Sequence, residues 1–239
     1  MKLSKRLEMI INMVPELGAG GCVADVGTDH GFVPIRLVQL GKAGRALALD
    51  VREGPLSRAR EHIKDCGLSR QIETRLSDGL AALAPGEANV VVITGMGGEL
   101  TLRILREGEA VRGMVDGWVF SPQSELSRFR HGLEELGLAI IREEMVFEDG
   151  KYYTVMLVKP GAMHYEEEFR YRFGDCLIRA HSPQLLCFLE RQKQQYREIL
   201  AALDAQDSAT ARIRAVEIEK EWKEAEEAYA AMQGNHSKA

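Results

Sequence analysis

The chain has 239 residues, enough for one ordinary domain with an appendage or for two small domains. At 45% hydrophobic residues it can bury a core, while a net charge of −5 and a pI near 5.8 exclude an overall basic nucleic-acid coat, though not local basic patches. Cys22, Cys66, Cys176 and Cys187 form neither a CxxC pair nor a Cys/His cluster, so reduced thiols in a cytoplasmic protein without a bound metal are expected.

The opening stretch MKLSKRLEMIINMVPELGAG places Leu3, Leu7, Ile10, Ile11 and Val14 at helical spacing. Its interrupting charges are unlike a signal peptide, and no apolar run in the chain is long enough to span a membrane. Apolar runs and amphipathic stretches then alternate. A strand over 22–26 precedes a helix over 32–40, and a strand over 46–51 precedes a helix over 56–66. A short strand over 72–76 is followed by NVVVIT (89–94), a run suited to a strand buried on both faces. A helix over 99–106, a strand over 117–121 and a helix over 125–136 come next. Strands over 139–146 and 152–159 close the series, joined by Glu148-Asp149-Gly150 as a hairpin turn. This alternation predicts an α/β fold: a mostly parallel sheet with helices on both faces and an antiparallel edge.

Beyond Lys159-Pro160-Gly161 strand signals fade, which suggests domains at 1–160 and 161–239. Leu185, Leu189, Gln192, Tyr196, Ile199 and Leu203 step by heptad spacing, as do Ala211, Ala215, Ile218, Trp222, Ala225, Tyr229 and Met232. The polar DAQDSAT between them offers Asp207 or Ser208 as a helix cap, so an antiparallel coiled-coil hairpin is expected, with a frayed tail GNHSKA.

Four features fall at predicted strand ends, where such a sheet holds its ligand. The first is Asp25-Val26-Gly27-Thr28-Asp29-His30-Gly31. The second is Asp50, followed by Val51, at the spacing of a carboxylate that takes a ribose diol. The third is Ser77-Asp78-Gly79, whose carboxylate suits an adenine amino group. The fourth is Thr94-Gly95-Met96-Gly97-Gly98. A pyrophosphate prefers backbone amides without a nearby carboxylate. Convergence of Asp25, Asp29, Asp50 and Asp78 therefore favours a ligand with a ribose, an adenine and cationic centres, namely S-adenosyl-L-methionine. Gly27, Thr28, His30, Gly79, Gly95 and Met96 complete the expected cofactor-binding set.

GTDHGFVPI, ALDV, SDGL and TGMGG, with the LSKRLEMI opening and SPQSE at 121–125, resemble the bacterial tRNA (adenine-22-N1)-methyltransferases over nearly the whole chain. The resemblance implies a Rossmann-like class I methyltransferase fold with a seven-stranded sheet and a C-terminal coiled coil. It implies cofactor contacts at Gly27, Asp29, Asp50, Asp78 and Gly95, and target-base neighbours at Met96, Gly97 and Gly98. The common family loop is closer to G-S-D-H-A-Y; Thr28, Gly31 and Phe32 depart from it, and Phe32 lacks the hydroxyl. Phe32 or Met96 is expected to contact the face of the base.

Adenine N1 has an in-plane lone pair, so no general base is required. Asp29 is the first candidate for electrostatic help in transfer and His30 the second. Expected RNA contacts are Lys2, Lys5 and Arg6 on the first helix, Arg128 and Arg130 beside His131 on a later one, and Arg191, Lys193 and Arg197, with Arg212 and Arg214, on the hairpin. A monomer or weak homodimer is expected. The rivals are a nicotinamide-dependent oxidoreductase, which would need a G-x-G-x-x-G that residues 24–34 lack, a methyltransferase acting on another RNA site, a small molecule or a protein, and a non-catalytic coiled-coil scaffold.

Overall fold

The computed structural model describes residues 3–206 and 208–234. Lys2, Asp207 and residues 235–239, named above for RNA contact, capping and the tail, lie outside them. The chain divides into two compact units, Met1–His164 and Tyr165–Ala239.

The first unit opens with α1 (Lys5–Met13), capped by Ser4, whose Oγ accepts from Leu7 N at 3.2 Å. Seven strands follow: β1 (Gly18–Val26), β2 (Ala43–Asp50), β3 (Ile72–Leu76), β4 (Val90–Thr94), β5 (Gly117–Ser121), β6 (Leu138–Glu148) and β7 (Lys151–Pro160). They lie in the order β3-β2-β1-β4-β5-β7-β6, parallel except for β7, which runs antiparallel to both β5 and β6. The predicted hairpin is present, with Asp149 and Gly150 both at positive φ. β1 starts earlier than its apolar run because Gly18 already pairs with Ala43, and a bulge then resets the register at Cys22.

Alternation along the strands divides the core. Val23, Val90 and Val92 meet Ile10, Val14 and Leu37 from α1 and α2 (Phe32–Gln39). Ala46 and Ala48 meet Ala59 and Ile63 of α3 (Glu53–Asp65). The opposite face carries Phe120, whose ring meets Phe129 of α6 (Leu126–Glu135) edge-on at 5.2 Å. Two helices, α4 (Gly98–Glu107) and the short α5 (Glu109–Arg112), lie between β4 and β5 in the chain. Each fully buried Val, Leu or Ile contributes roughly 1.5–3 kcal/mol, so β4, with four consecutive buried residues, anchors the sheet's centre. α1 packs on α2, β5, β6 and β7, which carries its polar first turn to the carboxyl edge of β4 and β5.

The second unit holds more than the expected pair. Short helices α7 (Glu168–Phe173) and α8 (Asp175–Arg179) precede the long α9 (Pro183–Asp204) and α10 (Ala209–Gln233). Gly174 at φ 95° separates the short pair, and Pro183 in the first turn starts α9 afresh. Ser208 caps α10, its Oγ accepting from Ala211 N at 3.1 Å. α9 and α10 run antiparallel: Tyr196 reaches Glu221, Arg197 lies over Trp222, and Lys193 pairs with Glu226. Ala211, Ile218, Ala225 and Met232 are buried at seven-residue intervals. Arg172 of α7 bonds Glu221 at 2.7 Å and Glu224 at 2.9 Å, so the base of the hairpin is packed against a third element.

Candidate active site

Strand order reverses between β1 and β4, which opens a crevice outside their carboxyl ends. Both strands end in a glycine at φ +81°, Gly27 and Gly95, a conformation an L side chain rarely adopts. Gly27 N and Thr28 N both donate to Leu49 O, at 2.8 and 2.9 Å, folding the first loop toward the end of β2. A Cβ on Gly27 would collide with Met96 Cε, so Met96 lies across the first loop and links the two turns.

On the β1–β2 side, Asp50 is 6% exposed. Its Oδ1 accepts from Arg52 N at 2.8 Å, and among the described residues Oδ2 has no partner. Val51 beside it is 60% exposed, an apolar face beside an acceptor. Asp25 lies beneath. Burial pushes its carboxyl up to about 6, opposed by the nearby Thr28 side chain. Thr28 Oγ1 is itself buried beside that carboxyl.

Asp29 is exposed and already paired, with Arg58 Nη2 2.8 Å from Oδ1 and His30 Nε2 3.3 Å from Oδ2. The rings of His30, Phe32 and His62 stack on one another at 5.2–5.7 Å, while His62 Nδ1 lies 2.9 Å from His30 O. His30 Nδ1 is buried without a partner. Phe32 is thus held by two imidazoles rather than presented alone to a base. Asp78 is largely exposed, 3.8 Å from Arg103, and Gly79 packs on Ile104. The four aspartates therefore do not converge as a bare acidic pocket. Asp25 is buried, Asp29 is balanced by Arg58, and Asp50 alone offers a sequestered, half-used carboxylate. Asp50 with Val51 still fits a ribose and the flat ring attached to it, which agrees with S-adenosylmethionine.

On the β4–β5 side, Ser121 pairs in register with Thr94, and its carbonyl accepts from Gly95 N at 3.3 Å. Gln123 N donates to Met96 O at 2.9 Å, so the SPQSE loop lies on the TGMGG turn. A Cβ on Gly98 would come within 2.9 Å of Ser124 O, and Gly98 is buried there. Its glycine is explained by this packing, which removes Gly98 from the expected base pocket; Gly97, half-exposed, stays at the edge. Glu125 Oε2 accepts from Glu99 N at 3.2 Å and closes the amino end of α4. Arg6 reaches this edge from α1. Its Nη2 lies 3.9 Å from where a Cβ on Gly95 would stand, and its guanidinium stacks over Tyr153 at 4.7 Å.

The expected RNA contacts divide. Lys5 and Arg191 are exposed. Arg128 is exposed but paired with Glu99. Lys193 stacks on Tyr229, and Arg197, still exposed, on Trp222. Arg130 is not an RNA contact: its side chain is 1% exposed and bonds Glu143 Oε1, at 2.9 Å from Nε. A buried guanidinium needs a buried carboxylate, and β6 supplies one.

Arg58 and His62 escape sequence reasoning. Their i, i+4 spacing puts both on one face of α3, but nothing local says that this face meets the first loop. The unpartnered Ser121 hydroxyl and the Arg6–Tyr153 stack escape it too, because partners far apart in sequence leave no periodic signal.

A methyltransferase-domain family model matches residues 3–156. The tRNA (adenine(22)-N(1))-methyltransferase of Bacillus subtilis (strain 168) is 34% identical over 161 residues, which span 67% of this chain and 66% of that relative. The structure of the B. subtilis M1A22 tRNA methyltransferase TrmK superposes with a TM-score of 0.83 at 27% identity, covering 95% of this chain and 99% of that one. That of Streptococcus pneumoniae Sp1610 in complex with S-adenosyl-L-methionine gives 0.83 at 30% identity, covering 95% of this chain and 100% of that one.

Proposed function

The chain belongs to the methyltransferase-domain family and, within it, to the tRNA (adenine(22)-N(1))-methyltransferases, and from that premise we propose that it transfers the methyl group of S-adenosyl-L-methionine to N1 of adenine 22 in tRNA. The observation that carries this reading is the pair of glycine turns, at Gly27 and Gly95, opening on one crevice with the half-used Asp50 carboxylate at its rim.

The donor supplies an electrophilic methyl on a sulfonium, and the protein's part is to hold two reactants in line. Asp50 accepts from the ribose through Oδ2, and Val51 covers one face of the adenine ring. Gly27 and Gly95 let the backbone approach the amino-acid end, with His30 Nδ1 as an unused polar atom of the first loop. Asp78 would accept from the donor's adenine amino group on this reading. The target adenine leaves its stack to expose N1 and enters beside Met96 and Gly97. N1 would take the methyl with its own lone pair while the methyl–sulfur bond breaks and its electron pair returns to sulfur, so that the donor leaves as the neutral thioether. Asp29, whose charge Arg58 already partly offsets, with His30 beside it, would give electrostatic help to the cationic base.

Lys5, Arg6, Arg128, Arg191, Lys193 and Arg197 are the proposed RNA contacts. No helix among the described residues is long and apolar enough to cross a membrane. On this reading the enzyme works in the cytoplasm as a monomer or weak homodimer. The test is methylation of unmodified tRNA followed by reverse transcription. A stop next to position 22 supports the assignment, a stop elsewhere moves the site, and the absence of any methylated RNA overturns it.

A further inference from the structure

Arg6 differs from the other cations named for RNA. Its guanidinium is half-buried, and among the described residues it makes no hydrogen bond or ion pair; Nε is fully enclosed without a partner. Burial holds it below the usual arginine range. The nearby Glu148 carboxylate acts on it only through its charge, since its oxygens are engaged by the backbone N–H of Lys5 at 2.6 Å and of Arg6 at 3.3 Å. A guanidinium that loses water without gaining an anion is costly, and such a group is normally paired.

The surroundings say where the anion comes from. Arg6 stacks on Tyr153 of β7 and reaches Gly95 at the end of β4, so it spans the mouth of β5. The carboxylate assigned to the donor ribose, Asp50, lies on the other side of the switch, at the end of β2. The buried Ser121 hydroxyl, also unpartnered, borders the same Gly95 turn. The amino end of α4, which would otherwise attract an anion, is closed by Glu125.

We propose that Arg6, seated over Tyr153, receives a phosphate flanking the flipped adenosine and is thus a substrate contact inside the transfer site rather than a peripheral RNA contact. The inference rests on the function proposed above. It explains why the stack matters: a planar guanidinium fixed by an aromatic face is aimed before the RNA arrives, as an ammonium is not.

The test compares wild type, Arg6→Gln, Arg6→Lys and Tyr153→Leu on unmodified tRNA, with donor binding measured by calorimetry and folding checked by melting. Arg6→Gln is expected to raise KM for tRNA about tenfold or more. It should lower the slope of log affinity against log salt by about 1 while donor affinity stays unchanged. Arg6→Lys should restore the slope but only part of the affinity. Unchanged tRNA affinity and slope overturn the proposal. So does an equal loss of donor affinity, which would assign the guanidinium to the donor's carboxylate. Should Arg6→Gln fail to fold, Tyr153→Leu decides: raised KM at unchanged slope supports the stack, and no change overturns it. If wild type methylates no tRNA, the proposed function itself fails; if wild type works and the variants match it, only this inference does.

Discussion

The two halves of the sheet's carboxyl edge treat charge differently. On the β1–β2 side each carboxylate has a defined state before any ligand arrives: Asp25 buried, Asp29 paired with Arg58, Asp50 fixed through Arg52 N. On the β4–β5–β7 side the turn is neutral, and the charged group beside it, Arg6, is desolvated without an anion in direct contact. One half is preorganised for a small ligand of constant shape. The other is left incomplete for a large substrate that brings its own charge. Arg130, deeper in that second half, shows the alternative: a guanidinium that the fold itself completes, through Glu143.

The sharpest way to break the comparison is to uncouple that pair. Glu143→Ala should cost about 3–5 kcal/mol in unfolding free energy by denaturant titration, because it takes a buried carboxylate away from the buried Arg130 guanidinium. A cost under about 1 kcal/mol would mean that this half tolerates a buried guanidinium that has lost its carboxylate, and the state of Arg6 would lose its significance.

Asp25 tests the opposite half. Its folded pKa, about 6, lies above the ordinary value of 3.8, so the folded state holds the proton more tightly than the unfolded chain. That contribution is complete below about pH 4 and is lost as pH rises through about 6, a change of about 3 kcal/mol. Asp25→Asn should abolish this component; an unchanged stability profile between those limits would refute the burial account.

Asp50→Ala should lower donor affinity by roughly tenfold to a hundredfold in calorimetry, the range for a hydrogen bond to a charged group, with little change in stability. Unaltered affinity would move the ribose elsewhere. The smallest effect on stability is expected at Asp29. Its bridge to Arg58 is exposed, so Asp29→Ala should shift unfolding by less than about 1 kcal/mol. Its loss of turnover should nevertheless exceed any loss of donor affinity; equal losses would remove Asp29 from transfer.

Much of this architecture is legible in the sequence. The continuous VVVIT run marks the central strand because only a strand covered on both faces keeps every position apolar. Asp50 stands out by its distance from Gly27, since a βαβ unit fixes that separation. The heptad steps foretell α9 and α10, but not α7 and α8, which are too short to show a period. Motif order also carries the family, since GTDHG, SDGL and TGMGG each sit at a strand end.

What the sequence determined by itself, then, was local and periodic: strands, helices, glycine turns and the chain order of the acids. Pairing was decided only by the tertiary structure. Arg130 and Arg6 look alike in sequence, each a cation on an amphipathic helix. Folding places one against Glu143 of β6 and the other over Tyr153 beside Gly95. The reason is physical: a charge's role depends on its desolvation and its partner, and both are set by residues remote in the chain.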